Sequence, residues 1–583
     1  MKLEAVYHRT SDNYSYPLNE EDLIINLKTG HDIEKVYIYY GDPFENGILG
    51  GNWKWSGVEE EIIYRKNLTR HIWWTTTVKP QYKRCKYYFK LVSGNQSIYY
   101  FEDGFYTEHE MNHQGKSLSY FTFPWMNAID INTTPDWVNN TVWYQIFPER
   151  FCNGDTGNDP EGTKPWGFHR VTNEEYYGGD LQGIIDRLDY LQDLGINGIY
   201  LTPIFEAGSS HKYDTTDYKR IDPHFGDEKV FKTLVDKAHE KGIRIMLDGV
   251  FNHCGKSFAP WLDVLEHGPE SKYYNWFMIN KWPFDKGVHN TKDGSFYSFA
   301  FTPRMPKLNT NNTEVNQYLL DIVEYWVKNF DIDGLRLDVA NEVSHRFCKE
   351  LRRLTKAIKP DFYLLGEIWH DAMTWLTGDE FDAVMNYPLA TSITDFWLYP
   401  EKTSYDFECS INHNFTMYMQ QTNNVLFNLL DSHDTNRLID KVKDIDIFYQ
   451  QLALLFTMPG SPCIYYGTEF AMEGSYDPDC RRCMPWEEIA SGLFAEKIEK
   501  TKSLINLRKS NNAFKSKHFH FIEDKKDKRI IHLIKTDEDH KQVEVILNCS
   551  EQEHKIERKG NELFSLLAVD TILKPKGVYI QQI

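Results

Sequence analysis

Four apolar runs in the middle of the chain end on carboxylates. Leu247 leads into Asp248-Gly249-Val250-Phe251-Asn252-His253, and Gly334-Leu335-Arg336-Leu337 into Asp338-Val339-Ala340-Asn341-Glu342. Gly366 leads into Glu367-Ile368-Trp369-His370, and Leu430 into Asp431-Ser432-His433-Asp434. Carboxylates flanked by histidine and arginine are side chains that pass protons and attack electrophilic carbon. A single aspartate after an apolar run is as readily a helix cap or half of an ion pair. Four such runs in succession fit that bland role poorly. Arg336 stands two residues before Asp338, on the same side of an extended strand. Its fixed charge is expected to hold Asp338 ionised and oriented.

A second group of oxygen donors lies earlier. Asn153, Asp155, Asn158 and Asp159 crowd one turn-rich stretch, and Gly178-Gly179-Asp180 follows. Carboxylate and amide oxygens suit calcium rather than zinc. The spacing is not that of an EF-hand, since the twelfth position counted from Asn153 is Lys164. By itself the stretch reads as an Asx-rich turn. Cys480 and Cys483 form a C-x-x-C without a second pair to face it, so no zinc or redox role is expected there.

The elements that must position these residues follow from periodicity. Buried strand-like runs are Val142–Phe147, Gly198–Leu201, Ile243–Leu247, Gly334–Leu337, Phe362–Gly366, Ala383–Asn386, Val425–Leu430 and Pro462–Tyr466. Amphipathic helices alternate with them, for example Leu181, Ile184, Ile185, Leu188 and Leu191, or Leu319, Ile322, Val323, Trp326 and Phe330. Alternation of this kind predicts an α/β fold, a closed (β/α)8 TIM barrel, whose active residues gather at the C-terminal ends of the strands. The gap after the third strand is too long for one helix, so residues 254–308 form an inserted lobe. Short strands broken by turn residues predict an N-terminal β-sandwich over residues 1–122 and a C-terminal one over 513–583, leaving 123–512 for the barrel. Asn52-Trp53-Lys54-Trp55 in the first of these is either a sugar platform or core.

Composition narrows the partners. The net charge of −20 disfavours phosphate backbones and anionic lipids, so neither nucleic acid nor membrane is expected. The start of the chain has no basic end followed by an apolar run, and nine scattered cysteines suit reduced thiols; both point to the cytoplasm. The aromatic content, 15%, is high enough to suggest sugar stacking beside core packing.

The ordered set D-x-V-x-N-H, G-x-R-x-D, G-E and H-D at four strand ends resembles the α-amylase superfamily of glycoside hydrolases. Within it, Met305-Pro306-Lys307-Leu308-Asn309, Val339-Ala340-Asn341-Glu342, Glu367-Ile368-Trp369-His370 and the run Val142–Phe151 resemble the cyclomaltodextrinase, neopullulanase and maltogenic amylase group. The resemblance implies a retaining hydrolase of α-1,4-glucosidic bonds, and some α-1,6 bonds, in cyclodextrins, pullulan and maltooligosaccharides, with some transglycosylation. It implies Asp338 as nucleophile, Glu367 as acid and base, and Asp434 as third carboxylate. Tyr213 is implied beneath the sugar at the cleaved bond, with His253 and His433 on its hydroxyls and Asp248 organising the site. Asp477 and Arg481 are implied on the non-reducing side, Glu342 and Trp369 on the acceptor side. The same resemblance raises calcium at Asn153, Asp155, Asn158, Asp159, the Gly178 carbonyl and Asp180, and a homodimer formed through the N-terminal domain. Two other readings stand beside it: a trehalose- or sucrose-acting isomerase or transferase, and an inactive sugar-binding relative. The Met305–Asn309 run argues against the first, and the retention of all three carboxylates against the second.

Overall fold

The computed structural model describes residues 1–45, 55, 57–113, 119–167 and 169–583. Trp53, one half of the suggested aromatic platform, lies outside them. The chain divides into two compact units.

The first unit comprises Met1–Thr133 with Leu376–Gly378 and Glu401–Asn423. It therefore recruits the helix Ser404–Thr416 from between two barrel strands, which the sequence periodicity alone did not indicate. A four-stranded antiparallel sheet runs in the order Ser15–Pro17, Leu23–Thr29, Ile72–Val78, Tyr64–Asn67. A second sheet runs Val58–Ile62, Lys35–Gly41, Cys85–Ser93, Gln96–Phe101, Gly104–Tyr106, with Phe121–Phe123 also paired to Cys85–Ser93. Period-two alternation turns Leu23, Ile25, Leu27 and Trp74 toward Val36, Ile38, Phe89 and Leu91, making one apolar core. Trp55 belongs to a second, aromatic cluster. It is buried, and its indole N–H donates to the Asp42 carbonyl at 3.0 Å, so it is core and not an exposed platform.

The second unit comprises Thr134–Trp375, Asp379–Pro400 and Asn424–Ile583. Its barrel strands are, in order, Trp143–Ile146, Gly198–Leu201, Arg244–Gly249, Gly334–Leu337, Tyr363–Gly366, Ala383–Val384, Phe427–Asn428 and Ser461–Tyr465. Neighbours pair in parallel from first to sixth, and the first also pairs with the eighth and the eighth with the seventh. A parallel bridge between Met385 and Phe427 closes the ring. Strands buried on both faces read as continuous apolar runs, which is why they stand out in the sequence.

Helices cover the outside by ordinary means. Asp227 caps Glu228–Glu240 by accepting the Val230 N–H, and Phe231, Leu234, Val235 and Ala238 face inward. Asn312 caps Thr313–Phe330, which buries Leu319, Ile322, Val323 and Trp326, worth about 1.5–3 kcal/mol for each large side chain. The pattern from Leu181 to Leu191, expected as one helix, is two: Leu181–Asp186 and Leu188–Leu194. They part at Arg187, whose guanidinium lies 4.2 Å from the centre of the Trp486 ring.

The inserted lobe contains the helix Ala259–His267 and a small aromatic core in which Trp261 meets Phe277 at 4.7 Å. A bridge of Lys307 to His253 returns it to the barrel rim, and one of Leu308 to Phe277 ties the lobe to itself. At the opposite end, Asp333 precedes the fourth strand and accepts from His239, Arg244 and Lys359 at 2.7, 2.7 and 2.9 Å. Asp382 precedes the sixth strand and is held likewise by Arg352 and Lys356, at 2.7 and 3.0 Å. The C-terminal strands, from His518–Phe521 to Ile572–Gln582, link into a six-stranded antiparallel network. Its last strand pairs along most of its length with Asn561–Val569 and, on its other edge, with Gln542–Asn548 and His554–Lys555. No helix among the described residues is long and apolar enough to cross a membrane.

Candidate active site

The centre of the barrel mouth is one guanidinium among three carboxylates. Arg336 is wholly buried. Its Nη1 lies 2.8 Å from Asp248 and 3.0 Å from Asp338, and its Nη2 lies 2.8 Å from Glu367. The third, fourth and fifth strands thus deliver their terminal acids to a single cation. Asp248 is the deepest. It also accepts the hydroxyls of Tyr200 at 2.6 Å and Tyr213 at 2.9 Å. Glu367 accepts the Val339 N–H at 2.9 Å and the Trp369 indole N–H at 3.2 Å. One cation cannot neutralise three carboxylates. Burial pushes the Asp338 carboxyl well above its ordinary range, and the charges of Glu367, Asp248 and Asp434 push the same way against Arg336. The cluster therefore favours holding a proton that belongs to the group rather than to one residue.

Asp434, from beyond the seventh strand, is the most open of the acids. His433 Nε2 lies 3.1 Å from one of its oxygens and Arg481 Nη2 3.3 Å from the other. Arg481 also pairs with Asp477 at 2.8 Å and donates to the His433 carbonyl at 3.0 Å. Tyr213 lies parallel to His433, ring centres 5.4 Å apart, with its hydroxyl 2.6 Å from Nε2. Burial, reinforced by Arg481 and Arg336, holds His433 far below the usual imidazole range. A neutral ring that accepts the Gln145 amide at Nδ1 carries its proton on Nε2, so Tyr213 can accept from His433 and donate to Asp248. His253 is likewise pushed down to about 3 by burial; it stacks on Phe299 at 4.8 Å.

Asp338, Glu367, Asp434 and their neighbours Tyr213, His253 and Phe299 line an open cleft of about 460 Å³ that also includes Asn173, His211, Met305, Asn341 and Tyr476. Trp369, half exposed, stacks on Tyr387 at 3.6 Å and forms one wall. Of the residues singled out in the sequence, Asp338, Glu367, Asp434, Tyr213, His253, Trp369, Asp477 and Arg481 line the cleft. Asp248, Arg336 and His433 lie behind it, against the residues that do. Glu342 is not among the cleft residues: its carboxylate is exposed and pairs with Lys307 at 3.5 Å. Asp431 caps the backbone at Leu438. Sequence reasoning missed Tyr200, Gln145, Phe299 and Tyr387. The first two sit inside strands, where only the inward turn of alternate residues marks them.

The oxygen-rich loop lies beyond the C-terminal end of the first strand. Asp180 anchors it, accepting N–H groups of Gly154, Asp155 and Gly183 and the amide of Asn158. The Oδ1 atoms of Asn153 and Asn158 are buried without a hydrogen-bond partner. Such oxygens are costly unless something electropositive meets them. Gly178 has φ 80°, and a Cβ there would come within 2.2 Å of Asp159 and 2.4 Å of Asn153, so only glycine permits this approach. Among the described residues no three His, Cys, Asp or Glu side chains are grouped to hold a metal. Amide and backbone oxygens would have to complete any site, and these fit calcium. Cys480 and Cys483 are free and buried, and the Cys480 thiol donates to the His433 carbonyl at 3.2 Å.

A closed parallel barrel that sets acids from successive strand ends about one arginine, in a cleft walled by aromatic rings, is that of a glycoside hydrolase. Residues 145–536 match the alpha amylase catalytic domain, and residues 1–127 the alpha amylase N-terminal ig-like domain. The chain belongs to the alpha-amylase family. It is 46% identical over 576 residues to a cyclomaltodextrinase of Geobacillus thermopakistaniensis, covering 97% of this chain and 95% of that one. It is 42% identical to neopullulanase 2 of Thermoactinomyces vulgaris, over 87% of this chain and 84% of that one. A solved cyclomaltodextrinase structure superposes with a TM-score of 0.90 at 39% identity, covering all of both chains.

Proposed function

We propose that the protein hydrolyses α-1,4-glucosidic bonds in cyclodextrins, pullulan and short maltooligosaccharides with retention at the anomeric carbon, and transfers part of the product to sugar acceptors. One observation carries this reading: Arg336 grips Asp338 and Glu367 at once and both line the same cleft, which sets two carboxyls about one bond. Retaining enzymes need their two carboxyls about 5–5.5 Å apart, whereas inverting ones leave room for a water between them.

In this reading the shared proton rests on Glu367 when substrate is bound. Glu367 gives it to the glycosidic oxygen as an Asp338 oxygen attacks C1, forming a β-linked ester and releasing the leaving sugar. Glu367 then takes a proton from water, whose oxygen displaces Asp338 and restores the α-configuration. A sugar hydroxyl in place of water gives transfer. Arg336 opposes the protonation of Asp338 before attack and stabilises its carboxylate again as water displaces it. Asp434, with Arg481 and the Nε2–H of His433 beside it, binds hydroxyls of the ring as it flattens toward the oxocarbenium-like state. Tyr213 supports that ring from below, and Trp369 and Tyr387 wall the acceptor side. Calcium, when bound by the Asn153–Asp159 loop with Gly178 and Asp180, supplies rigidity to that loop.

The test is product analysis on β-cyclodextrin, pullulan, starch and sucrose, with the anomer followed by NMR. Cleavage of the first two with α-product appearing first is expected; sucrose rearrangement without cyclodextrin cleavage defeats the reading. We further propose a cytoplasmic protein, since all nine cysteines are free thiols, and a homodimer formed through residues 1–122. Sedimentation velocity across a range of concentrations checks the second, and a monomer throughout would remove it.

A further inference from the structure

The turn that carries Tyr213 contains a buried charge the chemistry above does not use. Lys212, between His211 and Tyr213, has φ 66°. That is the left-handed region which residues with a Cβ avoid and where glycine is the default. His211 and Tyr213 reach the cleft, but Lys212 runs the other way, into the protein. Its ammonium lies 2.7 Å from Asp222 Oδ2, with the two side chains 1% and 2% exposed. The ammonium also lies 5.1 Å from the centre of the Phe225 ring and 5.9 Å from that of Tyr176. Asp222 is itself fixed. It accepts the Ala207 N–H at 3.2 Å and the His224 N–H at 3.0 Å.

A glycine would meet the backbone demand without burying a charge. What lysine adds is a tether, pulling the turn inward at the point where the chain must press Tyr213 on His433. We propose that Lys212 is a positioning residue: its buried ion pair with Asp222 holds the left-handed turn that seats Tyr213 against His433 and Asp248. Through Tyr213 the pair sets the floor beneath the sugar whose bond is cut. The proposal rests on the reading of Asp338 and Glu367 as the reacting carboxyls.

Removing one partner alone would strand a buried charge, so the pair is replaced as a unit, Lys212→Met with Asp222→Leu. An apolar replacement of a buried pair is often neutral for stability, so melting within about 5 °C of the parent is expected. On β-cyclodextrin, kcat is expected to fall about 10- to 100-fold with KM changed less than about threefold, the mark of an interaction made in the transition state. In a Tyr213→Ala background the same replacement is expected to cost less than about twofold, because nothing is left to position. A parental kcat in the paired variant overturns the proposal. So does an equal loss with and without the Tyr213 ring, which would mark a purely structural staple.

Should the paired variant not fold, Asp222→Glu carries the test, since it keeps the anion for the ammonium and moves it by one methylene. It is expected to lower kcat about 3- to 10-fold, again only while Tyr213 is present, and a parental kcat there overturns the proposal. Asp338→Asn tests the underlying reading separately. Activity lost in that variant beside parental kcat in the Lys212 series removes the tether and leaves the carboxyl assignment standing.

Discussion

The two ends of the barrel use the same residue types in opposite proportions. At the C-terminal rim, Asp248, Asp338 and Glu367 surround the single cation Arg336. At the other end, Asp333 is surrounded by His239, Arg244 and Lys359. The balance decides the chemistry. Hydrogen bonds and positive neighbours hold the Asp333 carboxyl well below the ordinary range, against the cost of its burial. Burial and like charges push the Asp338 carboxyl the other way. A carboxylate outnumbered by cations is locked in one ionic form and can only brace the fold. A cation in deficit leaves a proton to be moved, which is what a reacting site requires.

The largest expected effect tests the rim. Asp338→Asn and Glu367→Gln should each leave the fold intact and lower turnover by at least about 10³-fold, some 4 kcal/mol of barrier. Either variant keeping more than about a tenth of parental turnover would falsify the assignment. The other end should answer in a different currency. Asp333→Asn takes the shared anion from three partly exposed cations and is expected to cost about 1.5–3 kcal/mol of stability, measured by denaturant unfolding, with kcat per folded molecule unchanged. A large loss of kcat at parental stability would erase the distinction between the ends.

The oxygen-rich loop belongs to the rim side, and its contribution depends on a ligand. With calcium at about 100 times its dissociation constant, chelation should remove about 2.7 kcal/mol and lower the melting temperature. Asp155→Ala should melt lower and lose most of the response to chelator. A melting curve indifferent to chelator in protein shown metal-free by elemental analysis returns the loop to a plain Asx-rich turn.

The smallest effect sharpens the comparison most. A carboxyl whose folded pKa lies above its unfolded value binds its proton more tightly when folded. Its ionised form therefore costs stability at pH above both values, and the cost disappears as pH falls through the folded pKa toward about 3.9. Asp338→Asn, which cannot ionise, should thus melt slightly higher than the parent at pH 7, with the gap closing in acid. Asp333 has the opposite sign. Its stabilisation is present above about pH 3.9 and is lost only as pH falls through its lower folded value. Equal melting of Asp338→Asn and parent at every pH would show the rim to be as well balanced as the base.

Much of this was written in the order of residues. The barrel strands are legible because a strand buried on both faces is apolar throughout, and Asp338, Glu367 and Asp434, the carboxyls we propose to react, because they stand where those runs stop. Arg336 was legible as the partner of Asp338, two residues apart in one strand. That it also holds Asp248 and Glu367 was not, because only closure of the barrel brings the ends of three strands to one atom group. Closure also settled what Glu342 meets, which is Lys307 from the far end of the lobe. It decided as well that the helix Ser404–Thr416 packs into the first unit. Periodicity reports which face of an element is apolar, but not which other element will cover it. Tyr200, Gln145 and the Lys212–Asp222 pair stayed hidden for the same reason. Local sequence determines the direction in which a side chain leaves its strand or turn. What it meets depends on residues tens to hundreds of positions away, and only the folded chain brings those into reach.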